Sequence, residues 1–127
     1  MMPWVLVFLG GGLGAASRHG VNLAAGRFMG LGFPWGTLIV NVVGSLLMGL
    51  IAGYLAFRSE VSWSQPTRLF LTTGFLGGFT TFSAFSLDVA LLWERGDAAQ
   101  AAAYILANVA LSVGGLFAGL WIVRSLA

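Results

Sequence analysis

The sequence predicts an all-α membrane protein with four transmembrane helices and a break in the third. Three observations predict it. The chain is 58% hydrophobic and only 8% charged, with a mean hydropathy of +0.93, whereas about a quarter of the residues of a soluble domain are charged. Four apolar stretches of spanning length follow one another, separated by short polar loops. The third, charge-free over residues 69 to 87, is filled with Gly74, Gly77, Gly78, four threonines and two serines between Thr72 and Ser86. Glycine weakens a helix by about 1 kcal/mol relative to alanine, and paired glycines invite a break. Backbone groups exposed by a break in a bilayer must be covered by protein or line a polar cavity.

The first span is expected over residues 3–26. Pro3 suits a first helical turn, and residues 3–17 carry no charge before Arg18 and His19 arrive. Gly10 and Gly14 present a small face for close helix contact. No strand precedes these glycines, so they do not read as a nucleotide-binding loop. Gly30, Gly32 and Pro34 mark a loop, and Trp35 suits the membrane interface. The second span is expected over 36–57, with Thr37, Asn41 and Ser45 four residues apart on one helix face and Gly49 and Gly53 as a packing pair. A polar loop covers residues 58–68. The third span is expected over 69–93, followed by a tight loop at Glu94-Arg95-Gly96-Asp97. The fourth, over 98–123, carries a second polar stripe of Tyr104, Asn108 and Ser112, with Gly115 and Gly119 for packing. The whole chain, 1–127, reads as a single integral membrane domain. Residues 1–9 lack a positive n-region and no cleavage site follows, so the N-terminus reads as a retained span.

Arginine placement leaves the orientation open. Cytoplasmic loops normally hold the arginine excess. Here Arg58, Arg68 and Arg124 fall on one side, and Arg27, Arg95 and, by position, Arg18 on the other. A weak bias and dual insertion with antiparallel pairing both stand on this count.

Several functions are disfavoured. Six scattered arginines form no nucleic-acid patch. With no cysteine and one histidine, thiolate and two-histidine metal sites are excluded. Glu60, Asp88, Glu94 and Asp97 all lie near span ends, so no carboxylate sits at depth to relay protons, which argues for passive conduction. Uncharged polarity remains. A serine or threonine in a span is usually helix-to-helix glue. An amide is costlier to bury unpaired, so Asn41 requires a partner or a ligand, and its N–H₂ suits an anion. Phe82 and Phe85 stand among hydroxyls just past the glycines, and the positive edge of an aromatic ring can face a small anion. Helical spacing alone would make them packing residues. Arg18 reads as an attractor at a vestibule mouth.

The segments Gly74-Phe75-Leu76-Gly77-Gly78-Phe79-Thr80-Thr81-Phe82-Ser83-Ala84-Phe85-Ser86, Gly36-Thr37-Leu38-Ile39-Val40-Asn41-Val42-Val43-Gly44-Ser45 and Gly14-Ala15-Ala16-Ser17-Arg18 resemble the third-, second- and first-span motifs of the Fluc (CrcB) fluoride channels. Length and span number agree, so the resemblance covers the chain. It implies an antiparallel, dual-topology homodimer with two fluoride pores, which would account for the even arginine count. It implies that Phe82 and Phe85 line the pores by their ring edges, that Asn41 is the pore amide with Thr37 one turn before it, and that Tyr104 and Ser112 belong to a polar track. Asn108 stands where some relatives carry serine. Thr81 and Ser83 join the pore residues. Main-chain carbonyls of Gly77 and Thr80, two from each subunit, would hold a structural sodium ion (Na⁺), and Arg18 would stand by an aqueous vestibule. The implied role is export of toxic fluoride across the plasma membrane, the inner one in a Gram-negative cell, with fluoride, lipid and a second copy as partners.

Two rivals are weaker. A small multidrug exporter of this size needs a membrane-embedded glutamate that the first span lacks. A non-transporting assembly protein would explain the glycine faces but not Asn41 or the polar, phenylalanine-rich break.

Overall fold

The computed structural model describes residues 1–57 and 65–126, and among these there is helix but no strand. Helix α1 spans Met2–Met29 and α2 spans Trp35–Phe57. A composite third unit follows: α3 (Gln65–Leu69), a π-helical segment (Phe70–Leu76) and a short α4 (Gly77–Phe79). Helices α5 (Phe82–Glu94) and α6 (Ala98–Leu126) complete the chain. Most of the expected 58–68 loop, with Arg58 and Glu60, lies outside the described residues, and Gln65–Arg68 already belong to α3.

Among the described residues, three units are long and apolar enough to cross a membrane: Trp35–Phe57, Gln65–Glu94 and Ala98–Leu126. Helix α1 has the length but not the composition, because Arg18, His19, Asn22 and a run of glycines dilute its apolar residues. Four helical units thus match the expected four spans in position, while composition alone qualifies three.

Two packed pairs build the bundle. Helix α2 lies along α6, and α1 lies along the π segment and α4. Glycines set both contacts. A methyl group at Gly49 would strike the main chain of Leu116, and one at Gly119 would come within 2.6 Å of the Leu50 amide nitrogen. On the other pair, a methyl at Gly14 would meet the Phe75 carbonyl, and one at Gly78 the Gly11 carbonyl. Backbones at this distance gain dispersion contact and interhelical attraction that lipid cannot supply. Gly30 ends α1 at φ 84° and Gly96 turns the chain between α5 and α6 at φ 88°, conformations that a side chain would strain. Arg95 ties that turn to the α1–α2 loop, donating to the Gly32 carbonyl at 2.8 Å and to Asp97 at 2.7 Å.

Leu38, Phe85, Leu92, Ala101 and Tyr104 form a buried cluster between α2, α5 and α6. Large apolar side chains such as Phe8, Phe28, Phe117 and Trp121 point outward. That inside-out distribution suits a lipid surround.

Candidate functional site

The third unit breaks at Thr80 and Thr81. Both are extended, at φ −90°, ψ 157° and φ −154°, ψ 121°. This is the tail of the expected break and not its glycines: Gly77 stays helical at φ −63°, ψ −38°. The glycines are used for close approach, Gly74 against Gly10 and Gly78 against Gly11. What diverts the chain is competition for its amides. In a continuous helix the Thr81 N–H would bond the Gly77 carbonyl and the Ala84 N–H the Thr80 carbonyl. Instead Thr81 N donates to Asn41 Oδ1 at 2.8 Å, and Ala84 N donates to Thr81 Oγ1 at 3.1 Å, a side-chain N-cap for α5. Arg18 reaches in from α1, its Nε donating to the Gly78 carbonyl at 3.1 Å.

Asn41 is the hub. Its Nδ2 donates to the Thr81 carbonyl and to Asn108 Oδ1, each at 3.1 Å. With the bond it accepts from Thr81, this satisfies both of its amide hydrogens and its oxygen. The two polar stripes of the sequence therefore meet across the α2–α6 contact. One turn away, the Tyr104 hydroxyl donates to Asp88 Oδ2 at 2.9 Å, with the Thr37 and Asn108 side chains beside it.

Around this network lies a cavity of about 290 Å³, lined by Asn41, Ser45, Thr80, Thr81, Phe82, Phe85, Asn108, Val109, Ser112 and Val113. Among the described residues no ionisable side chain lines it. Phe85 is buried at 6% exposure while Phe82 is 75% exposed, so one ring forms the wall and the other the rim, their centroids 5.3 Å apart. Phe85 packs on Tyr104 at 5.2 Å, and Tyr104 on Phe33 at 5.4 Å. Phe33 belongs to a second hollow of about 550 Å³ that also holds Thr37, Asp88 and Arg95.

Of the expected pore residues, Asn41, Phe82, Phe85, Thr81 and Ser112 share the cavity. Thr37 lines the neighbouring hollow, and Tyr104, fully buried, stands between Thr37 and Asn108. Ser83 is exposed, 3.3 Å from the Thr81 hydroxyl. Gly77 faces a third hollow, of about 710 Å³, with Arg68, Thr72 and Thr73. Ser45, the Thr80 side chain and Phe33 also line these hollows, though no site role for them is legible in the sequence beyond the four-residue spacing of Ser45 from Asn41. Asp88, near a span end, holds Tyr104. Among the described residues no group of His, Asp and Glu could hold a metal.

The fold and this site define a small helical membrane protein whose broken helix encloses an uncharged polar cavity. The family described as "CrcB-like protein, Camphor Resistance (CrcB)" matches residues 5–120, and the chain belongs to that family. Among its relatives, a protein of Nitrobacter hamburgensis named "Fluoride-specific ion channel FluC 2" is 61% identical over 98% of this chain and 99% of its own length. Proteins named "Fluoride-specific ion channel FluC" are 59% identical in Rhodopseudomonas palustris, over 98% of this chain and 99% of the relative, and 58% identical in Chelativorans, over 99% of both.

Proposed function

We propose that this protein is a passive, fluoride-selective channel that carries fluoride out of the cytoplasm across the plasma membrane. One observation carries the reading: a cavity walled by amides, hydroxyls and phenylalanine rings, with no ionised side chain, in a chain so similar to relatives named as fluoride channels. Fluoride is small and strongly hydrated, so a pore must replace its water with hydrogen-bond donors and ring edges. Those donors must not hold it as tightly as a fixed positive charge would. Expulsion needs no chemical coupling and no enzymatic step, since a negative-inside potential drives the anion outward with about 2.3 kcal/mol per charge per 100 mV.

In this reading the working unit is an antiparallel, dual-topology homodimer, with one pore for each protomer's cavity and α1 as the fourth span. The ion passes from the hollow at Thr37, by Tyr104, to the cavity at Phe82, Phe85 and Ser112, with Thr81 and Ser83 at its rim. A structural sodium ion lies at the dimer centre on the Gly77 and Thr80 carbonyls. Support comes from the break itself, where the amides that would have bonded those two carbonyls go to Asn41 and Thr81. Carbonyl oxygens freed in this way suit a hard monovalent cation, and the ion would fix the two protomers at their crossing.

Expression in bacteria that lack a fluoride exporter tests the reading. Cells grown in fluoride should hold less internal fluoride when they make this protein than when they carry an empty vector. Equal internal fluoride would contradict it.

A further inference from the structure

Residues 30–34, between α1 and α2, all line the hollow of about 550 Å³, together with Thr37 of α2 and Asp88 of α5. Little in the local sequence fixes this loop. Gly30 turns it at φ 84°, Gly32 has no side chain, and Leu31 is 87% exposed. Toward α2 it is steadied by Phe33, whose ring stands edge-on to Tyr104 at 5.4 Å and tilted against Trp35 at 4.7 Å. Its middle is held by Arg95, which lines the same hollow and whose Nη2 donates to the Gly32 carbonyl at 2.8 Å.

The turn that carries Arg95 is a firm anchor. The amides of Arg95 and Asp97 bond the Leu91 and Leu92 carbonyls, each at 3.0 Å, and the Asp97 carbonyl accepts from Ala101 N at 2.9 Å as α6 begins. From this anchor the guanidinium reaches three partners. Nε donates to Asp97 Oδ2 at 2.7 Å, and Nη2 is shared between the Gly32 carbonyl and Gln100 Oε1 at 3.3 Å. The planar fork of arginine suits several bonds at once. Attraction of an anion is a poor account of this residue. Its charge is paired with Asp97, and Glu94 precedes it, so residues 94–97 hold one arginine beside two acids. Stability is a poor account as well, because an exposed ion pair adds little.

We infer that Arg95 is a positioning residue for ion passage, pinning the 30–34 loop to the α5–α6 turn and so keeping the mouth of the hollow open toward Thr37. The inference rests on the channel reading above and on the route by Thr37 within it. Without the pin, the two glycines let the loop swing inward. Leu31 then stands in the mouth, and a hydrated ion meets an apolar side chain in place of a wet opening.

The test uses purified full-length protein in fluoride-loaded vesicles, reconstituted so dilutely that each vesicle holds at most one channel. The fraction of vesicles that empties counts folded channels, and the emptying rate measures passage. Arg95→Met keeps the length of the side chain without its donors, and should slow emptying severalfold at an unchanged fraction. The slowing should be the same at low and high ionic strength, because salt screens an attracting charge but not a pin. Asp97→Asn separates the two accounts by sign: a freed attractor would speed emptying, whereas a pin that has lost its aim slows it. Rescue completes the test. The chain has no cysteine, and a Cβ at Gly32 would meet nothing within 4 Å. Gly32→Cys combined with Arg95→Cys should empty slowly, then regain the unsubstituted rate when a short bis-thiol reagent bridges the pair. Emptying of Arg95→Met at the unsubstituted rate, a loss confined to the emptied fraction, faster emptying by Asp97→Asn, or no recovery on bridging would each overturn the pin. A failure of the unsubstituted protein to release fluoride would overturn the channel reading itself, and is seen before any variant is made.

Discussion

Asn41 and Thr81 are joined by two hydrogen bonds, one in each direction: Thr81 N donates to Asn41 Oδ1 at 2.8 Å and Asn41 Nδ2 donates to Thr81 O at 3.1 Å. A side-chain amide on α2 thus stands in for a helical turn at the break. It takes an amide from the helix ladder and returns a donor to the carbonyl. The break is consequently set by a residue forty positions away, and the glycines beside it are free to serve packing.

Asn41→Asp should therefore damage more than one local contact. The carboxylate still accepts from Thr81 N but gives nothing to Thr81 O or to Asn108. A buried acceptor left unpaired costs about 1–3 kcal/mol. Fluoride efflux from proteoliposomes should fall at least tenfold, and the thermal midpoint in detergent should fall as well. Unchanged efflux with an unchanged midpoint would remove Asn41 from the break.

Arg18 allows a similar separation of roles. Its Nε bond to the Gly78 carbonyl supports the frame of the break, whereas an attractor at a vestibule needs only charge. Arg18→Gln keeps an N–H donor without the charge, and Arg18→Leu keeps neither. If the bond matters most, the Gln variant should hold its efflux rate within about threefold while the Leu variant loses about tenfold, the loss of a charge-assisted bond being about 1.5–3 kcal/mol. Equal losses in both would make charge the important property.

The glycine contacts predict opposite outcomes for the same substitution. Gly49→Ala drives a methyl into the Leu116 backbone, which cannot step aside, and overpacking of this kind costs about 1–3 kcal/mol. Gly114→Ala meets nothing within 4 Å and gains about 1 kcal/mol of helix propensity. Thermal unfolding in detergent should show the first variant melting lower than the unsubstituted protein and the second no lower.

The proposed sodium site on the Gly77 and Thr80 carbonyls can be tested by cation replacement. Replacing sodium by a large organic cation during purification should weaken the proposed dimer on size-exclusion chromatography and lower fluoride efflux, with both restored when sodium is returned. A dimer indifferent to the replacement would remove the ion from Gly77 and Thr80.

Much of this architecture is legible in the sequence because its signals are local. The four-residue spacing of Thr37, Asn41 and Ser45, and of Tyr104, Asn108 and Ser112, places each trio on one helix face. The glycine pairs at 49 and 53 and at 115 and 119 foretell the α2–α6 contact that brings those faces together. What escapes is nonlocal. Gly77 and Gly78 are the strongest helix breakers in the third unit, yet the extended residues are Thr80 and Thr81, because Asn41 on another helix captures the Thr81 amide. The π-helical turn over Phe70–Leu76 has no single signal and goes with the close approach of Gly74 to Gly10. Asp88 finds Tyr104 and Arg18 finds Gly78 only once the helices are packed. The orientation of the Asn108 amide likewise depends on a partner 67 residues away.

The central claim is that the cavity strips and passes a small anion without a fixed charge. Efflux from liposomes loaded with fluoride or with chloride, read by ion-selective electrodes on the purified, unsubstituted protein, tests it most directly. Rapid loss of fluoride with chloride retained is the predicted result. Fluoride loss no faster than from protein-free liposomes, or chloride released as fast as fluoride, would contradict it.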